Sequence, residues 1–85
     1  MYLFLEDDVV IPNEKVVLII DCIHLDTPEN NEFYAHQLEN KELVNLAKGM
    51  EKSVVITDDK VYISSYGTQT LIKRAKEFFS IVGGI

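Results

Sequence analysis

The sequence predicts an α+β domain in which a small antiparallel β-sheet carries two helices, the C-terminal one packed on the sheet. Three observations among the 85 residues lead there. Two runs rich in Val, Ile, Thr and Tyr flank the acidic pair Asp58-Asp59, as a hairpin requires when turn-tolerant residues separate two strand-formers. Directly afterwards the apolar period becomes helical, with Leu71, Ile72, Ala75, Phe78, Phe79 and Val82 recurring at i, i+1, i+4, i+7, i+8 and i+11. Upstream, Thr27-Pro28-Glu29 is a second helix start, with Thr27 as N-cap, Pro28 in the first turn and an acid at the positive dipole end.

Taken in order, Tyr2 to Leu5 and Val9 to Ile11 form a tight hairpin around Glu6-Asp7, closed by Pro12-Asn13. With that loop Leu5 pairs with Asp8, Phe4 with Val9, Leu3 with Val10 and Tyr2 with Ile11. Tyr2, Phe4, Val9 and Ile11 then share one face, and Leu3, Leu5 and Val10 share the other. Val16 to Ile20 is apolar throughout, a strand expected to be covered on both sides. Pro28 to about Asn40 is a helix whose narrow stripe of Phe33, Tyr34, Ala35 and Leu38 suggests a solvated position at the sheet edge. Glu42 to Ala47 fits either a continued helix or a strand by pattern alone. In the hairpin around Asp58-Asp59, Thr57 pairs with Lys60, Ile56 with Val61, Val55 with Tyr62 and Val54 with Ile63. Val54, Ile56, Val61 and Ile63 then form a greasy face, expected to receive Leu71, Ile72, Phe78 and Phe79. Gly67-Thr68 breaks and caps in front of the last helix, and Gly83-Gly84 ends it.

The stretch Lys-Ser-Val-Val-Ile-Thr-Asp-Asp-Lys-Val-Tyr-Ile-Ser from Lys52, followed by Thr70-Leu71-Ile72-Lys73-Arg74-Ala75, resembles the small bacterial RemA/RemB-like family of extracellular matrix regulatory proteins. Its B-type members are the nearer match. Met1-Tyr2-Leu3-Phe4-Leu5 with Asp8-Val9-Val10 is similar as well, so the resemblance spans the single domain 1–85, strongest over Lys52 to Ala75 and weakest from Ile23 to Gly49. It implies a strand over Glu42 to Ala47, which brings the count to about six short strands. It also implies a transcription regulator of biofilm matrix genes, since A-type members are DNA-binding activators that assemble into rings. The family sets a basic pair just ahead of the strand matching Ser53 to Thr57. Here that place reads Lys48-Gly49-Met50-Glu51-Lys52, and Ser65-Tyr66-Gly67 stands where the family more often turns on a proline.

Composition narrows the classes. A chain this short buries only roughly 60% of the surface its unfolded form exposes, so a partner is the natural support. Cys22 is the one cysteine, and no Cys/His set has zinc spacing. No apolar run is long enough to span a membrane, and Glu6-Asp7-Asp8 occupies the place where a signal peptide needs a basic start, so a cytoplasmic protein is expected. Residues 1 to 51 carry a net charge of −8 and residues 52 to 85 a net +2. The pI near 4.7 opposes nucleic-acid binding by the domain as a whole but leaves room for a basic C-terminal patch.

Candidate chemistry is sparse. Asp7-Asp8 and Asp58-Asp59 are explained by turns, where Asp bonds its own backbone and neighbouring side chains diverge. His24 and His36 lie on different elements with no relay partner at useful spacing, and Cys22 reads as a small core hydrophobe. There is no phosphate loop, nucleophile elbow or zinc signature, so neither an enzyme nor a cofactor, metal or small-molecule substrate is expected.

From composition alone, Lys73, Arg74 and Lys76 are a solvated helix face. The resemblance implies instead that Lys52, Lys73 and Arg74 contact phosphates of double-stranded DNA. The two apolar faces of the N-terminal hairpin predict a homo-oligomer meeting through Tyr2, Phe4, Val9 and Ile11, and the resemblance implies a ring. The alternative is an oligomeric protein-interaction module that binds no nucleic acid.

Overall fold

The computed structural model describes residues 2–6 and 8–74. Six strands, β1 (Tyr2–Glu6), β2 (Val9–Pro12), β3 (Val16–Asp21), β4 (Glu42–Asn45), β5 (Ser53–Thr57) and β6 (Lys60–Ser64), form two sheets. β1 and β2 pair with each other, and the other four lie in the order β3-β5-β6-β4. Helix α1 (Pro28–Asn40) connects β3 to β4, and helix α2 follows β6, with its described part at residues 68–74. The α+β class expected from the sequence is what the chain adopts.

The centre is β5, all five residues of which are buried. Its pairing with β6 has the register the sequence predicts, Ile56 with Val61, Val55 with Tyr62 and Val54 with Ile63. Thr57 fastens the turn, its hydroxyl accepting from the Lys60 amide at 2.9 Å while its carbonyl accepts from Lys41 Nζ at 2.6 Å. β4 lies parallel to β6 and is the one departure from an antiparallel sheet among the described strands. Topology explains this. The connection from β4 skips a position before β5 begins, and β6 then returns into the gap, antiparallel to β5 and therefore parallel to β4.

The helices divide the faces differently from the expectation. Val54, Ile56, Val61 and Ile63, with Ala47, are covered by Ile20, Cys22, Leu25 and the Tyr34 and Leu38 side chains of α1. So α1 is a covering layer and not a solvated edge. Its stripe is narrow, but the short one-turn segment Cys22–Asp26 fills beside it, and the four-residue greasy face is small. Leu71 belongs to the opposite face, where it joins Val55, Leu3, Leu5 and Ile11 in one buried cluster. Ile72 is 46% exposed, and Phe78 and Phe79 lie outside the described residues. The greasy face thus meets α1, and the described part of α2 packs on the other side of β5.

The N-terminal hairpin is displaced by one residue from the expected register. Leu3 pairs with Ile11 and Phe4 with Val10, and a bulge between Phe4 and Glu6 leaves Leu5 without a partner on β2. The extra residue turns Leu3, Leu5 and Ile11 inward, with Val9 packed against them, and leaves Tyr2 and Val10 about half exposed. The buried Ser64 hydroxyl donates to the Leu5 carbonyl at 2.8 Å, so the main-chain acceptor at the bulge is satisfied by the main sheet.

β3 is likewise less covered than its composition suggests. It is an edge strand, bulged at Val17, and Val17 is 64% exposed. A bulge twists an edge away from further pairing.

Leu71→Ala should cost about 2 to 5 kcal/mol in urea denaturation, as expected for a fully buried leucine, whereas Ile72→Ala should stay within about 0.5 kcal/mol. The reverse order would place the other side of α2 against the sheet.

Candidate nucleic-acid interface

The basic residues singled out by sequence are positioned by the junction between β6 and α2. β6 ends at Ser64, whose carbonyl accepts from the Lys52 amide at 2.9 Å. The next residues are tied on two sides. Glu6 Oε1 accepts from the Ser65 amide and hydroxyl, both at 2.9 Å, and the Ser53 hydroxyl donates to the Tyr66 carbonyl at 2.6 Å. At the start of α2, the Thr68 amide donates to Asp21 Oδ1 at 3.0 Å and the Thr68 hydroxyl to Oδ2 at 3.2 Å. The cap therefore comes from the end of β3, 47 residues away, and puts a carboxylate at the positive end of the helix. No local pattern reveals it, since Asp21 adjoins Thr68 only after β3 pairs with β5.

From this start, the Leu71 amide donates to the Gly67 carbonyl at 3.1 Å, and the buried Leu71 side chain fixes the rotation of the helix. Arg74, one turn on, is half-buried with its guanidinium carbon 4.5 Å from the centroid of the Tyr66 ring. That is a cation–π contact, worth more as the pair is desolvated. The Nη1 atom is buried and has no hydrogen-bond partner among the described residues. Lys73 and Lys52 are exposed. Of the three expected contacts, Lys52 by its main chain and Arg74 by its ring contact are thus tied to the Ser64 to Tyr66 segment. The Tyr66 stack was missed by the sequence reading, which treated Ser65-Tyr66-Gly67 only as a turn.

The loop before Lys52 is closed and preorganised. Glu51 Oε2 accepts from Asn45 Nδ2 at 3.0 Å and from the Gly49 amide at 3.2 Å, and the Met50 amide reaches the Ala47 carbonyl at 2.6 Å. Gly49 has φ of 85°, which a residue with a Cβ resists. The Asn45 and Gly49 donors hold the Glu51 carboxyl below its ordinary range. Glu51 is thus occupied as a fastener, and Met50, 68% exposed, is presented at the tip.

The family model for extracellular matrix regulatory protein A-like proteins, RemA-like, matches residues 4–75. The chain is also 35% identical over 81 residues to extracellular matrix regulatory protein B of Bacillus subtilis (strain 168), an alignment covering 95% of this chain and 98% of that protein. The chain belongs to the RemA-like family. The matched span runs from within β1 to just past the described part of α2, so the junction and the Glu51 loop both lie within the RemA-like region.

The residues expected at the subunit interface of this RemA-like chain are split between two surfaces. Ile11 is 6% exposed and Val9 packs on the core with it, whereas Tyr2, 47% exposed, is on the opposite side of the hairpin. The one-residue bulge is the reason. The remaining polar candidates are accounted for locally. The His24 carbonyl accepts from Asn30 Nδ2 at 2.8 Å, and His36 Nδ1 lies 3.7 Å from Glu39 Oε2 on the exposed side of α1. Burial, then the charges of Glu51 and Asp21, push the Cys22 thiol up. Among the described residues no group of three or more His, Cys, Asp or Glu is arranged to hold a metal ion, and no helix is long and apolar enough to cross a membrane.

Two measurements follow from this geometry. Asp21→Ala should destabilise by about 1 kcal/mol through loss of the α2 cap, read by urea denaturation. Because the folded pKa of Glu51 is lowered, its contribution is present above the unfolded carboxyl pKa and is lost as pH falls through the folded one. The thermal midpoint of the wild type should therefore fall more steeply on acidification than that of Glu51→Gln, and parallel curves would contradict the fastening role.

Proposed function

We propose that this protein is a non-enzymatic transcription regulator that works in the cytoplasm as a homo-oligomer and holds double-stranded DNA by its phosphates through Lys52, Lys73 and Arg74. The observation that carries the reading is that the Lys52 main chain, bonded to Ser64, and Arg74, stacked on Tyr66, are both tied to the β6–α2 junction of a chain whose net charge is −6. Arginine suits this role because its planar fork matches a phosphate edge, and exposed lysines add charge without reading bases. Membership of a family named for extracellular matrix regulation, and the likeness to a protein of that name, support regulation over catalysis. The reading requires no cofactor, metal or membrane.

Assembly is part of the proposal. The outward side of the β1–β2 hairpin, with Tyr2, Phe4 and Val10, takes over from the set that included Val9 and Ile11 as the surface through which copies meet. Contact of that surface with a different one on the next copy closes a ring.

A second reading, an interaction module without DNA binding, is favoured by the net charge of −6 and by the Glu51-closed loop with Met50 at its tip. Fluorescence anisotropy of labelled duplex against salt separates the two. The regulator should bind at low salt with affinity falling as salt rises, and Lys52→Ala or Lys73→Ala should weaken all duplex sequences alike and reduce the salt slope by about 1 each. No binding at low salt would leave the module. Light scattering tests assembly: wild type should exceed the 9.7 kDa of one chain and Tyr2→Asp should shrink it, whereas a wild-type monomer at tens of micromolar removes the oligomer.

A further inference from the structure

We propose that the Tyr66–Arg74 junction is a discrete oxyanion site that takes one phosphate group, supplied either by duplex DNA or by a small phosphorylated molecule. This rests on the reading of Arg74 as a phosphate contact and goes beyond it, because one phosphate group can pair with a single guanidinium without a duplex.

Arg74 Nη1 is out of water, yet no hydrogen-bond acceptor reaches it among the described residues. A guanidinium nitrogen cannot relieve this by losing its proton, since arginine stays charged at any physiological pH. Stacking on Tyr66 at 4.5 Å holds the plane of the group but offers its donors no acceptor.

Nor do the carboxylates that reach this junction supply one. Glu6 Oε1 is taken up by the Ser65 amide and hydroxyl, and both Asp21 oxygens are taken up by Thr68. Glu6 Oε1 and both Asp21 oxygens instead fasten the turn that precedes Arg74. What remains is a half-buried guanidinium, held against Tyr66, whose Nη1 has no hydrogen-bond partner among the described residues. A tetrahedral phosphate, with more than one acceptor oxygen, matches the planar fork of such a guanidinium.

The test uses the full chain, inorganic phosphate as probe, and chloride at equal ionic strength as control. Line broadening of the phosphorus NMR signal reports binding, and anisotropy of a labelled duplex reports competition. Wild type should bind phosphate saturably. Arg74→Lys, which keeps the charge but not the fork, should weaken binding by about tenfold, and Arg74→Gln should abolish it. Circular dichroism confirms that each variant is folded, and should Arg74→Gln fail to fold, Arg74→Lys alone decides. Displacement of the duplex by phosphate beyond the chloride effect assigns the site to DNA. Phosphate binding by a chain that binds no duplex keeps the site, assigns it to a small phosphorylated ligand and retires the DNA reading. Duplex binding with phosphate no more effective than chloride, or phosphate binding equal in wild type and Arg74→Lys, overturns the site while leaving the DNA reading standing.

Discussion

The structure depends on the burial of β5 from both sides. A strand whose five residues are all inaccessible needs a layer on each face, and an 85-residue chain has little material to build two. Here α1 supplies one layer through Tyr34 and Leu38, and the other is shared by the β1–β2 hairpin and Leu71 of α2. Sharing explains why neither contributor needs a broad apolar surface. It also explains why the polar residues of β5 and β6 face the hairpin side, where Ser53 and Ser64 use their hydroxyls to tie in Tyr66 and Leu5.

Carboxylates recur as fasteners. Glu6 holds the Ser65 amide, Asp21 the Thr68 amide and Glu51 the Gly49 amide, each closing a turn whose main-chain donors would otherwise be unpaired. The acidic excess of the first 51 residues is thus in part structural.

The register error in the N-terminal hairpin comes from a single residue. The hairpin around Asp58-Asp59 was legible because its loop has two residues and one face is plainly apolar, so a slip would have exposed Val54, Ile56, Val61 and Ile63. In the N-terminal hairpin both faces are apolar, so the pattern could not choose a register. The bulge at Leu5 chose it, and the Ser64 hydroxyl satisfies the carbonyl there. Tyr2 was thereby separated from Ile11 and Val9.

The sequence alone determined the α+β class, the span of α1 from Pro28 to Asn40, the central hairpin with its register, and membership of a family that the comparisons then showed. These are set by local preferences and periodicity, which act between near neighbours in the chain. The tertiary structure decided which helix covers which face, the parallel placement of β4 beside β6, the capping of α2 by Asp21 and the seating of Arg74 on Tyr66. Each of these arises from strand order or from packing that local pattern does not record, because any apolar face satisfies an amphipathic helix and only competition among the faces settles which one it meets.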